Sequence, residues 1–412
     1  MITIKRTNIS VSQGRARMTA GLLVDGTDHE LWFEVEEKYE KFLCPERADA
    51  FVLGLLYYGM KYGHDISSEI PMTDILYERL TDQFLVPFYK LNRMSDDPKE
   101  TRNGVGYRVK ITCPVAAEVT HPAGGDKVGT GISCGVDSLH VFATHKDISC
   151  ACIWKGHTTT GIQSMDSAEA REEAWNGMLS RSKAFAAQVG IPLLSATTNF
   201  DRECLPGLQW DGMTTYGNLF CIFALQKLWK KYYIASNCDI MDFNMKMVSL
   251  KADPARYEYF LFPFLSLPHF TVMMDGQSHS RLDKVRNLMG YAPAKKFLNV
   301  CWRVNEDHKN GTNDCPKCMI TLLELDVVGR VDEFKGVFDV DYYHANFHEF
   351  LAEYYRCFLH KNIFALELKP YMSKLRIPLK TRMRAYKIVA AKMFSKALRL
   401  GKVRTSGFSA KA

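Results

Sequence analysis

From Asp126 to Trp302 short apolar, β-branched runs alternate with stretches of helical spacing, and that alternation constrains the fold more than anything else in the chain. The runs are VGTGIS, ISCACIW (148–154), IPLLSAT (191–197), YYIAS (232–236), FTVMMDG (270–276) and FLNVCW (297–302). Between them lie helical stretches at 137–145, SAEAREEAWNGMLSRSKAFAAQVG, YGNLFCIFALQKLWK and SRLDKVRNLMG. Strands separated by helices run parallel, because each helix returns the chain to its starting edge, and both faces of the sheet are then covered. The expected fold is α/β, a doubly wound parallel sheet, with ligands in the crevice at the carboxyl ends of its strands.

The first of these strands breaks into SCGVDS, residues 133–138, before a helix begins. At a helix start the first backbone N–H groups lack intrahelical partners and carry partial positive charge, so such a turn attracts an anion. Ser133 and Ser138 add hydroxyls, Gly135 permits a close backbone approach, and Asp137 can cap the helix or hold a magnesium ion beside phosphates. The GxxxxGK[ST] pattern of a Walker A loop is absent. Read by itself, SCGVDS also fits a capped helix start with no nucleotide.

The hexapeptide resembles the SGGxDS signature of the PP-loop, or N-type ATP pyrophosphatase, superfamily, which includes GMP synthetase, NAD synthetase, asparagine synthetase, tRNA thiolases and 7-cyano-7-deazaguanine synthase. Ser133, Gly135, Val136, Asp137 and Ser138 match it, and Cys134 stands where the signature has its first glycine. The resemblance implies an adenine nucleotide alpha hydrolase-like fold, with ATP and Mg²⁺ bound at residues 133–138 and Asp137 in a catalytic role.

A second cluster points to one branch of that superfamily. FLNVCW is followed by NDCPKCMITLLELDVVG, so Cys301, Cys315 and Cys318 resemble the cysteine-rich zinc knot of the 7-cyano-7-deazaguanine synthase branch, and the resemblance spans roughly residues 126–335. Structural zinc takes four thiolate or imidazole ligands, and a CxxC turn supplies two with little strain. The knot normally has four cysteines. The fourth ligand here is His308, a more distant cysteine, or missing; in the last case Cys315 and Cys318 fit a redox pair or a helix start without metal.

In MMDGQSHSRLDKVRN, Asp275 falls at a strand end and Ser278, His279, Arg281 and Lys284 at the following helix start. Arg281 and Lys284 are candidates for offsetting charge on the triphosphate or leaving pyrophosphate; a solvated helix face is the competing reading for Lys284. Asn199, Asp201 and Ser236 have only their strand-end positions to recommend them, and His157 lies after the second strand, where the superfamily often contacts adenosine. Trp175 and Trp210 read as packing residues.

Residues 1–35 alternate around a VDGTD turn as antiparallel strands do, and PERADAFVLGLLYYGMKYG and MTDILYERLTDQFLVPFYKL carry helical spacing. The expected organisation is an α+β N-terminal region (1–120), a nucleotide domain with the cysteine cluster (126–335) and a helical basic C-terminal region (336–412). Residues 366–412 hold thirteen Lys/Arg against Glu367 alone, so with a net charge of +7 the remainder of the chain stands at −5. The run TRMRAYKIVAAKMFSKALRL reads as a basic amphipathic helix whose partners are RNA phosphates, an anionic membrane surface or the acidic body of the protein, the last favoured by the charge balance. No apolar run is long enough to span a bilayer, the N-terminus lacks a secretory signal, and most of the twelve cysteines sit singly in apolar runs, so the expected location is cytoplasmic.

The reaction implied by the resemblance is that of an ATP-dependent, AMP- and pyrophosphate-forming ligase. It adenylates a carboxylate or carbonyl oxygen of a small-molecule, peptide or nucleoside acceptor, and a nitrogen nucleophile then attacks. Two other classes fit the residues: a thiolation enzyme carrying sulfur on Cys315 or Cys318, and a non-catalytic nucleotide- or RNA-binding module. Nothing in the sequence sets the oligomeric state.

Overall fold

The computed structural model describes residues 1–93, 108–156, 167–200, 204, 210–243, 245, 248, 250, 254–301, 310 and 315–406, with backbone alone at 93, 210–213, 242 and 395–406. The chain forms two compact units: Met1–Ser133 with Asp137–His279, and Cys134–Val136 with Ser280–Ala412.

The first unit is α/β and carries a large, mostly parallel sheet. Its strands are β1 (Ile2–Ser12), β2 (Arg15–Val24), β3 (Thr27–Glu36), β4 (Ile66–Ser68), β6 (Ile111–Thr112), β8 (Lys127–Gly131), β9 (Cys150–Lys155), β10 (Leu193–Thr198), β11 (Trp229–Ala235) and β12 (Thr271–Asp275), and β5 (Met72–Thr73) pairs separately with β7 (Val115–Ala116). The order across the 10-stranded sheet is β12-β11-β8-β9-β10-β3-β2-β1-β4-β6. Strands β8 to β12 are mutually parallel. The chain starts at β8, moves outward through β9 and β10, then crosses back to place β11 on the other side of β8. That reversal opens a crevice at the carboxyl ends of β8 and β11.

The N-terminal meander is not a separate layer. Strand β3 pairs antiparallel with β10, Glu34 opposite Thr197 and Phe33 opposite Thr198. The side chain of Asn199 seals this seam: its oxygen accepts from Trp32 N–H at 2.9 Å and its amide donates to the Glu30 carbonyl at 2.8 Å. The structural unit therefore runs through the expected boundary near residue 120.

Alternation in β2 and β3 buries Ala16, Met18, Ala20, Leu22, Leu31, Phe33 and Val35 on one face. The helix Asp49–Tyr62 covers that core and is buried from Asp49 through Met60, an apolar surface all round as expected of an internal helix. It packs on the helix Trp210–Ala224, where Phe51 and Phe220 approach to 5.4 Å between ring centres. Burying each such ring stabilises the fold by about 2–3 kcal/mol. Gly129 in β8 is required by contact, since a Cβ there would lie 2.7 Å from the Trp229 ring.

The described residues of FLNVCW, 297–301, do not join the sheet. Ala294–Phe297 forms a helical turn after Pro293, and residues 298–301 carry no regular structure. These residues belong to the second unit, whose main helices are Arg281–Leu288, Pro316–Val327, Phe347–Leu359, Ile363–Leu368 and Leu379–Ser406. No helix among the described residues is long and apolar enough to cross a membrane.

Candidate functional site

Strand β8 leads straight into the crevice. Ile132 N–H donates to the Cys152 carbonyl at 2.8 Å, extending the β8–β9 ladder by one bond, and Thr130 Oγ1 donates to the Tyr233 carbonyl at 2.9 Å, tying β8 to β11. The helix Val136–Thr144 follows, with Asp137 in its first turn. Ser133 Oγ and Ser138 Oγ stand 3.2 Å apart, Ser133 exposed and Ser138 buried. Cys134 holds a left-handed φ of 59°, the conformation glycine adopts most cheaply, so the position keeps a glycine-type backbone under a cysteine side chain.

Ser133, Asp137 and Ser138 line a cavity of ≈ 290 Å³, close to the lower size limit of small-molecule sites. Its walls are Ile153 and Trp154 of β9, Met178 of the helix Ala168–Val189, Ile222 and Asn218 of the helix Trp210–Ala224, and the end of β11 through Ala235 to Asn237. Apolar surface thus dominates, with hydroxyl, carboxylate and amide groups among the lining. Thr214, Asn218 and Ile222 recur every four residues, so a single helix face delivers all three. Sequence reasoning missed them because a helix face is recognisable without its partner surface being so.

The other strand-end candidates of the first unit are engaged locally. Asp275, ending β12, lies 2.9 Å from His145 Nε2 and 3.9 Å from His140 Nε2, while the His145 ring stacks on Tyr233 at 3.9 Å. Tyr233 and Lys231 meet Asp147; the Tyr233 and Asp147 hydrogen bonds raise the Lys231 ammonium above its ordinary range. Ser236 closes a turn by donating to the Cys238 carbonyl at 2.9 Å, and Ser278 lies 3.2 Å from His279 Nδ1. Trp175 is buried, as a packing residue is. His157 and Asp201, like the side chain of Trp210, lie outside the described residues.

In the second unit Arg281 and Lys284 open the helix Arg281–Leu288, which Ser280 caps by accepting from Asp283 N–H at 3.2 Å. Both are buried. The Arg281 guanidinium donates to Thr321 Oγ1 at 2.9 Å, pairs with Glu324 at 3.3 Å and lies over Phe364 at 4.9 Å. It serves as the interior partner of a buried carboxylate, a role its position at a helix start did not announce. Lys284 does not sit on a solvated helix face.

Cys301, Cys315 and Cys318 do converge: their sulfur atoms all lie within 4.8 Å of one another, with Cys315 and Cys318 fully buried. Two thiolates on one tetrahedral zinc at ~2.3 Å stand roughly 3.8 Å apart, so the set fits that ion. Hydrogen bonding with Cys301 and Cys315, then burial, pushes the Cys318 thiol far up. Pro316 follows Cys315 into the helix Pro316–Val327, and Met319 N–H donates to the Cys315 carbonyl at 3.0 Å. Cys301 is positioned by Asn310, whose side-chain oxygen accepts from Val300 N–H at 2.7 Å and Cys301 N–H at 3.2 Å. The Asn310 amide donates to the Leu298 and Val337 carbonyls at 2.9 and 2.8 Å. Asn310 thus organises the cluster without carrying a sulfur, and no motif signals it. His308 lies outside the described residues. In comparison with known proteins, the chain matches no family model, no curated protein and no solved structure.

Proposed function

We propose that the protein is an ATP-dependent, AMP- and pyrophosphate-forming ligase of the PP-loop type, with an adenine nucleotide alpha hydrolase-like domain, and that the crevice at β8 and β11 takes the nucleotide. One observation carries the reading. Ser133, Asp137 and Ser138 line a cavity at the carboxyl end of β8, the first strand of the parallel block β8 to β12, at the point where strand order reverses and beside a helix start. That combination offers an anion hydroxyl donors and the positive end of a helix dipole, next to apolar walls suited to a purine.

In the proposed reaction an oxygen of the acceptor attacks the α-phosphorus of ATP. The bond to the bridging oxygen breaks, and pyrophosphate leaves with the electron pair. A nitrogen nucleophile then attacks the activated carbon, AMP departs, and the nitrogen gives up a proton. Ser133 and Ser138 would orient the phosphates, and the apolar walls would keep water from the activated carbon. Asp137 would hold Mg²⁺, which neutralises phosphate charge. Zinc on Cys301, Cys315 and Cys318 would cross-link the second unit. Full burial of Cys315 and Cys318 speaks against the sulfur-carrier alternative, which needs an accessible thiolate.

The test is a pyrophosphate-release assay on purified protein with ATP, Mg²⁺ and a fractionated cell extract as the source of acceptor. AMP and pyrophosphate should appear together, and Asp137→Ala should lower the rate by about a hundredfold or more while leaving the melting curve in place. Release of ADP and phosphate, or full activity in Asp137→Ala, would overturn the assignment.

A further inference from the structure

The helix Leu379–Ser406 turns a second apolar face outward. Its inner face is used: Ala385 and Val389, four residues apart, are buried where the helix packs on Phe347–Leu359. Leu379, Met383, Tyr386, Met393 and Phe394 follow a different spacing of four, three, seven and one, which at about 100° per residue forms a stripe whose centre lies roughly a quarter-turn from Val389 and a third of a turn from Ala385; at its inner edge the Tyr386 ring stacks on Tyr355 of the helix Phe347–Leu359, centres 4.5 Å apart. All five are large, and their exposure runs from 54% at Met383 to 73% at Leu379. Lys380, Arg384 and Lys387 run along one flank of the stripe and Arg382 along the other, all exposed. No Asp or Glu occurs after Glu367.

We propose that this helix docks on the surface of an anionic lipid bilayer, lying in the headgroup plane with Leu379, Met383, Met393 and Phe394 towards the acyl chains and Tyr386, stacked on Tyr355, at the edge of the contact. The charge is complementary to acidic headgroups, and the flanking cations stand level with them when the stripe is immersed. Nucleic acid would satisfy the cations and leave Leu379, Met383, Met393 and Phe394 in water. A protein groove that wraps a basic helix needs both of its sides, and at Ala385 and Val389 one side is already occupied. A plane suits the single stripe that remains. The inference stands apart from ATP chemistry and survives if that reading fails.

Sedimentation of the full-length protein with vesicles of equimolar phosphatidylcholine and phosphatidylglycerol, against phosphatidylcholine alone, tests it. The protein should pellet with the acidic vesicles, remain in solution with the neutral ones, and be released by salt. Met383→Glu with Phe394→Glu should weaken binding at least about tenfold, since both side chains leave water on docking. Lys380→Glu with Lys387→Glu should weaken it about tenfold or more by reversing flank charge. Both pairs should keep the wild-type melting curve. Failure to bind acidic vesicles, equal binding to neutral ones, or binding indifferent to Met383→Glu with Phe394→Glu would overturn the proposal. So would binding to a single-stranded RNA that acidic vesicles do not displace.

Discussion

The two units solve the same problem with different materials. The first buries an apolar sheet face under the helix Asp49–Tyr62 and keeps the serine and aspartate groups of its crevice at strand ends. The second is helical and puts charge and sulfur in its interior, with Arg281 against Glu324 and a cluster of three thiols beside Asn310. Apolar packing loses stability in proportion to the area removed, whereas a buried polar partnership fails abruptly when one member is deleted. The first unit should therefore break mainly at places where backbone is crowded, and the second wherever a polar partner is lost.

The largest expected effect lies in the first unit, at the end of β9. Gly156 has φ +110°, and a Cβ there would come within 1.8 Å of the Thr198 carbonyl oxygen. Gly156→Ala should cost about 4 kcal/mol or more in urea denaturation. Gly190→Ala, at a similarly left-handed helix end with open space around it, should cost only about 1 kcal/mol. Next comes the second unit's ion pair. Glu324→Leu, which strands the Arg281 guanidinium, should cost about 3–5 kcal/mol, and adding Arg281→Leu should recover most of it. If the double variant is no better than the single one, the idea that this unit depends on paired charge is broken. Asn310→Ala should then cost about 2–3 kcal/mol and loosen Cys301, weakening the uptake of added zinc by the proposed site, with hydrogen exchange rising in the second unit alone.

The smallest effect sharpens the contrast from the other side, because the first unit also buries carboxyls, Asp49 and Glu258 among them. Asp49 is fully buried and accepts from Thr73 N–H at 2.8 Å and Thr73 Oγ1 at 2.5 Å. Burial raises its pKa more than these bonds lower it. The folded protein therefore keeps the proton at a pH where the unfolded chain, near 3.8, has lost it. The contribution is fully present below that value and declines as pH rises through the folded one, by at most about 1.4 kcal/mol per pH unit. Asp49→Asn should remove this slope from the stability–pH profile while retaining the bond from Thr73 N–H.

The parallel strands β8 to β12 and the meander β1 to β3 were legible because residue alternation and helical spacing are local signals. FLNVCW was misread as a strand because a short apolar run has the same look in a strand, a buried turn or a coil, and Pro293 with the Ala294–Phe297 turn decided it. Ser133, Asp137 and Ser138, which line the cavity, fall at a strand-to-helix break, and such a break is visible in one dimension. Arg281 with Glu324, and Cys301 with Asn310, depend on pairings across the fold. No periodicity records such pairings. The merging of the meander with the parallel sheet was hidden for the same reason, being written only in the seam of β3 and β10.

That seam also sets an order of events at the ribosome. Strand β3 is synthesised long before β10, so the nascent chain carries an unsatisfied hydrogen-bonding margin at Phe33 and Glu34 until residues 197 and 198 have left the exit tunnel. Chaperone occupancy on translating chains should accordingly be heaviest over that interval and fall once β10 arrives to close the margin.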